Sequence, residues 1–121
     1  MIFTQDKSVF YSQNHFFYEK EIAALGFEVL GFGYLLKPRG RKSVINRILS
    51  AFELLYWIGG KGWIQVGTNK PCVVQAGSLC LLAPGIRHSY ASDKDDYLEE
   101  FWLRFCGPSA PSLIPKAFMQ N

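Results

Sequence analysis

The chain has little of what builds metal centres or disulfide frameworks: among its 121 residues are two histidines and three cysteines. Cys72, Cys80 and Cys106 are odd in number and share no CxxC spacing, so they read as reduced core thiols of a cytoplasmic protein. Metal binding needs at least three convergent donors, and besides His88 the sequence offers only His15, in a segment expected to be an arm. No metal and no other cofactor is expected. No run of about 18 apolar residues exists, so no membrane span is expected. The opening MIFTQDKS contains an acid and lacks an apolar centre, unlike a secretory signal. There is no nucleophile beside a base, no glycine-rich phosphate loop before a helix, and no carboxylate pair in an apolar setting. Catalysis is unsupported, and the expectation is a non-enzyme.

What is present points to strands. Aromatic residues make up 16% of the chain and gather in β-forming runs, which favours a single domain of all-β or α+β class over a helical bundle. From Phe52 onward the punctuation is regular: FELLYWI as a strand, GGKG as a turn, then WIQV, CVVQ and SLCLL as strands parted by GTNKP, AG and APG. Strands of four to seven residues at this spacing indicate a meander or jelly-roll barrel. Upstream, residues 27–36 form a β-rich run interrupted by Gly31 and Gly33, as in a strand that bends around a barrel. Residues 14–25 suggest a short helix, with Asn14 as N-cap and Gly26 just past its end. Val44, Ile45, Ile48 and Leu49 have the spacing of one apolar stripe on a turn or two of helix, with a long hairpin loop as the alternative.

The net charge of +3 is mild but unevenly placed, because Lys37, Arg39, Arg41, Lys42 and Arg47 fall within eleven residues. That run could draw phosphate or nucleic acid, or be a solvated loop, and no aromatic platform interleaves it.

Two stretches carry candidate chemistry. In Gly77-Ser78-Leu79-Cys80-Leu81-Leu82-Ala83-Pro84-Gly85-Ile86-Arg87-His88, a strand apolar on both faces runs into a Pro-Gly corner that presents His88 at the start of the next strand. His88 is a candidate for ligand contact, general base, metal ligand or corner residue, and Tyr90 shares its face. In the last long strand, residues 97–105, alternation places Phe101, Leu103 and Phe105 on one face, expected to pack as core. Glu100, Trp102 and Arg104 share the other, either lining a barrel interior or forming an outer ion pair beside a surface tryptophan.

The corner resembles the second motif of cupins, although that pattern sets its proline where this chain has Ala83, and the first cupin motif of paired histidines and a glutamate is missing. Taken together, Lys37-Pro38-Arg39-Gly40, FELLYWIGGKGWIQV, AGSLCLLAPGIRHSY and LEEFWLRFCGP resemble the sensor domain of arabinose-type (AraC-family) transcriptional regulators. The resemblance implies a cupin-like barrel, a jelly roll of double-stranded β-helix type, over residues 27–107. An arm would precede it at 1–26 and an exit tail follow at 108–121. It implies a small effector, often a sugar, bound without metal, and a signal passed to a helix-turn-helix DNA-binding domain outside this chain, in a protein expected to be cytoplasmic and, at full length, homodimeric. The ligand-binding residues so implied are Lys37, Tyr90, Glu100, Trp102 and Arg104, with His88 added from the corner. The rival expectation is a small stand-alone cupin enzyme, an isomerase or a dioxygenase.

Overall fold

The computed structural model describes residues 11–16, 26–37 and 44–114. Eight strands are present among them: β1 (Tyr11–Phe16), β2 (Glu28–Lys37), β3 (Val44–Arg47), β4 (Phe52–Val66), β5 (Cys72–Gln75), β6 (Leu79–Leu82), β7 (His88–Ser92) and β8 (Leu98–Cys106). A short 3-10 helix, Ala110–Leu113, follows. All pairings are antiparallel. One sheet runs β1-β2-β8-β4-β6 and the other β3-β7-β4-β5, with β4 belonging to both.

β4 is where the two sheets join. Residues 52–60 pair with β8, and residues 62–66 pair with β7. The GGKG stretch, expected to reverse the chain, does not turn. The strand passes through it as a continuous element of 15 residues with a register shift between Trp57 and Gly59. Its glycines serve close approach instead: a Cβ on Gly60 would overlap the Tyr97 carbonyl, and one on Gly62 the Ala91 carbonyl. Bare backbone lets β4 leave one sheet for the other while staying hydrogen-bonded on both sides.

Between the sheets lie Leu55, Trp57, Ile64, Val74, Leu82, Tyr90 and Leu98, all buried, with Trp57 edge-on to Tyr90 at 5.9 Å between ring centroids. Each of the leucines, truncated to alanine, removes about 2–5 kcal/mol of transfer and cavity energy. A second cluster sits on the outside of the first sheet, where Phe52 stacks on Phe105 at 5.3 Å and Ala110 of the 3-10 helix closes over them.

Several local expectations are corrected. Asn14–Phe16 is strand, not the start of a helix; the rest of the expected helix, 17–25, lies outside the described residues, as do 1–10 of the arm and 115–121 of the tail. Val44–Arg47 is a strand paired with β7, and Ile45 and Ile48 are exposed, so neither a helical stripe nor an unstructured loop forms there. β6 is covered less than its apolar sequence suggests, because Leu79 is exposed and only Leu82 is buried. Nor are all three thiols in the core: Cys72 is exposed. Phe101, Leu103 and Phe105 do share a face, but it is the outer face of the first sheet. Phe105 is covered by the second cluster, Leu103 is half-buried and Phe101 is 40% exposed.

Candidate functional site

Alternation along β8 sends Glu100, Trp102 and Arg104 inward, and the register says what they meet. Across from Trp102 and Arg104 on β2 stand Gly33 and Gly31, which contribute no side chain; on β4 the partners of Arg104, Trp102 and Glu100 are Glu53, Leu55 and Trp57. Large polar side chains therefore project over a glycine-floored strip, and the space left between the sheets is a cavity of about 210 Å³. Lys37, Arg47, Glu53, Tyr90, Trp102 and Arg104 supply its polar and aromatic wall. From the edge strand, Asn14 reaches across its register partner Gly33 and accepts the indole N–H of Trp102 at 3.3 Å.

Glu53 organises the wall. Its carboxylate is 2% exposed, receives Nη2–H of Arg47 on one oxygen, and on the other takes Nε–H and Nη2–H of Arg104 at 3.0 and 2.6 Å. Arg47 is held from behind as well: its Nε–H donates to Nε2 of His88 at 2.8 Å. An acceptor at Nε2 fixes the neutral tautomer, so Nδ1–H of His88 donates to the Ile86 carbonyl at 3.1 Å. Burial pulls the His88 pKa below its usual range, consistent with that neutral ring.

Deeper lies a second charged group. Lys37 Nζ stands 3.8 Å from Glu100 Oε1 and 4.0 Å from the centroid of the Tyr90 ring, and the Tyr90 hydroxyl donates to the same Glu100 oxygen at 3.0 Å. The other oxygen, Oε2, is buried with no hydrogen-bond partner among the described residues. Burial raises the Glu100 pKa to about 7, against the opposing pull of the Lys37 charge. Burial likewise lowers Lys37 and holds Tyr90 well above its ordinary value.

Of the residues singled out in the sequence, Lys37, Tyr90, Trp102 and Arg104 line the cavity, Glu100 lies directly behind it, and His88 is buried beneath Arg47 with both ring nitrogens engaged by protein. His15 is exposed and stacks on Phe32 at 4.9 Å, on the opposite face of the sheet from the cavity. Among the described residues no three His, Cys, Asp or Glu side chains are grouped as a metal ion would need. Sequence reasoning missed Arg47 and Glu53. Arg47 stands in the sequence only as part of a basic run, of which Lys37 also lines the cavity while Arg39, Arg41 and Lys42 lie outside the described residues. Glu53 sat unremarked in a strand, although a lone acid amid FELLYWI was the available signal.

Glu100 gives a pH prediction. Its folded pKa of about 7 stands above the ordinary 4.5, so folding favours the protonated acid. The stability this proton contributes is fully present below about pH 4.5 and is lost as pH rises through 7, for a total of about 3 kcal/mol. Urea denaturation of the protein and of Glu100→Gln, compared across that range, is expected to show the loss in the former and a flatter curve in the latter. Parallel curves would mean that Glu100 is ionised throughout.

The sequence model of the AraC-like ligand binding domain family matches residues 40–116. No curated protein matches the chain. Among solved structures it is similar to an RmlC-like cupin family protein with a double-stranded β-helix fold from Methanocaldococcus jannaschii: TM-score 0.68, 14% identity, 92% of this chain and 93% of that one covered. It is also similar to a protein described as a predicted oxalate decarboxylase from Thermotoga maritima, with TM-score 0.60, 22% identity and coverage of 78% and 80%. A cupin-like protein from the same organism gives TM-score 0.60 at 13% identity, covering 91% and 86%. At these identities the likeness concerns the fold, which is the cupin double-stranded β-helix. No helix among the described residues is long and apolar enough to cross a membrane.

Proposed function

This chain belongs to the AraC-like ligand binding domain family, and from that premise we propose that it is the effector-sensing barrel of a cytoplasmic, dimeric transcriptional regulator. A small polar effector of sugar size enters the cavity between β2, β4 and β8, and its binding is passed to a helix-turn-helix DNA-binding domain outside residues 1–121. The observation that supports the reading is the cavity itself, whose wall combines an indole plate with a lysine and two arginines. That combination gives apolar stacking together with directional polar contacts. Its volume of about 210 Å³ is below the usual range for drug-sized ligands, which limits the effector to monosaccharide scale.

For the signal to leave the site, ligand must prefer one arrangement of the protein over another. The hydrogen bond from Trp102 to Asn14 links the cavity to β1, the strand at the edge of the sheet and part of the N-terminal arm. β1 is accordingly the moving part in this proposal. Amide exchange in residues 11–16 is expected to slow when effector is bound, and Trp102→Ala to weaken binding about tenfold by loss of stacking. Unchanged exchange with a bound effector would refute the role given to the arm. The rival reading as a small cupin enzyme needs a reactive centre, and the cavity wall holds a carboxylate already engaged by two arginines. Turnover of any compound that binds would favour it.

A further inference from the structure

We propose that the effector carries an anionic group, a carboxylate or phosphate ester on a hydroxylated body of sugar size, seated against Lys37, Arg47 and Arg104 with its apolar face on Trp102. The inference rests on the reading of the cavity as an effector site and narrows what that site takes.

The cavity wall is rich in donors and short of acceptors. Lys37, with its side chain 4% exposed, is closed off from bulk water, and its ammonium carries three N–H donors. That ammonium stands 3.8 Å from a Glu100 carboxylate oxygen, beyond hydrogen-bond reach, and 4.0 Å from the centroid of the Tyr90 ring. Such a group calls for an acceptor in the cavity. The one carboxylate on the wall, Glu53, cannot serve a ligand hydroxyl freely, because both its oxygens already receive guanidinium donors. Glu100 Oε2 is fully buried, and Glu100 is not among the residues that line the cavity.

Charge points the same way. Three cations converge on the cavity against Glu53, an excess of two, reduced to one when Glu100 is ionised. A neutral sugar leaves that excess standing in a site only partly open to water, whereas an acid neutralises it with short charge-assisted bonds. Arg104 lies 5.3 Å from the Trp102 ring centroid, so a ring resting on the indole would bring a substituent within guanidinium range.

Protons are expected to follow the ligand. Glu100 is faced by Lys37 from β2, Arg47 from β3, Glu53 and Trp57 from β4, Tyr90 from β7 and Arg104 on its own strand. An anion placed among these cations disfavours the Glu100 carboxylate and so draws a proton onto it, and an acid binds with net proton uptake near pH 7 and a neutral sugar without it.

Titration calorimetry tests this on the unmodified chain. The probes are the common hexoses and pentoses, their uronic and aldonic acids, and the hexose 6-phosphates, each run in two buffers of different ionisation enthalpy. The expected result is that at least one acid binds tenfold or more tightly than its neutral parent, an advantage of about 1.4 kcal/mol, with proton uptake. Whether uronate or phosphate ester wins identifies the anionic group. Lys37→Met is expected to remove the advantage and Lys37→Arg to keep most of it. A neutral sugar that binds as tightly as its acid would overturn the anionic effector and leave the effector site standing. If no sugar and no acid binds at about 10 mM, the effector site itself is refuted, and the inference with it.

Discussion

Glu53→Ala is expected to lower the unfolding free energy by about 3 kcal/mol, measured by urea denaturation at neutral pH. Glu53 is 2% exposed and serves two guanidiniums from two other strands, β3 and β8, so its loss leaves both cations facing one another with Lys37 nearby. Removing one partner of a fully buried pair costs about 3–5 kcal/mol. Here the arginine side chains remain 28% and 25% exposed, and water recovers part of that cost, which places the expectation at the low end. Glu53→Gln keeps the shape and one acceptor and is expected to cost about half as much. Removing Arg47 and Arg104 together with Glu53 should restore stability relative to Glu53→Ala, since the like charges go with it. A loss under about 1 kcal/mol in Glu53→Ala would mean that the three groups are solvated and that the cavity wall is not preorganised.

Gly60→Ala is expected to prevent folding or to cost at least about 3 kcal/mol. Two effects combine at this position. Its φ of 80° disfavours any side chain, and a Cβ would run into the Tyr97 carbonyl, which is pinned in place by accepting the Lys61 amide at 3.0 Å. Gly77 separates the two: its φ is 91° but nothing lies within 4 Å of a Cβ, so Gly77→Ala should cost only the backbone term of about 1–2 kcal/mol. Equal losses in the two variants, read from thermal or urea unfolding, would mean that β4 does not cross so closely to the Tyr97 carbonyl.

The same glycines show where a sequence can be read and where it cannot. GGKG has the composition of a turn, and composition reports backbone freedom without saying what uses it. Here it is a strand crossing in which neighbouring backbone comes too near for a Cβ, a condition set by residues 91 and 97. The alternation of Glu100, Trp102 and Arg104 was legible because period two is local to one strand. Which face looked inward was not, because that depends on Gly31 and Gly33 lying across from it, some seventy residues earlier in the chain. Arg47 and Glu53 escaped for the same reason: each makes sense only beside His88 and Arg104, on strands brought alongside by the fold. The apolar triplet Phe101, Leu103 and Phe105 misled because both faces of the first sheet carry apolar residues, one against the core and one beneath the 3-10 helix. The overall class survived these local errors. Strand and turn signals recur many times between residues 52 and 106, and a misread turn or helix changes the path of one connection without changing the number of strands available to pair.

The central claim is that the Trp102 side of β8 is the wall of a ligand cavity. It is tested most directly by following indole N–H resonances in ¹H–¹⁵N spectra during titration with the sugars and sugar acids named above. Of the three tryptophans, Trp57 is buried in the core, Trp63 lies outside the cavity wall, and Trp102 lines it while donating to Asn14. A saturable shift of the Trp102 indole, accompanied by the amides of Gly31 and Gly33, is the predicted result. Binding that moves the Trp63 indole and leaves Trp102 and both glycines unchanged would contradict it.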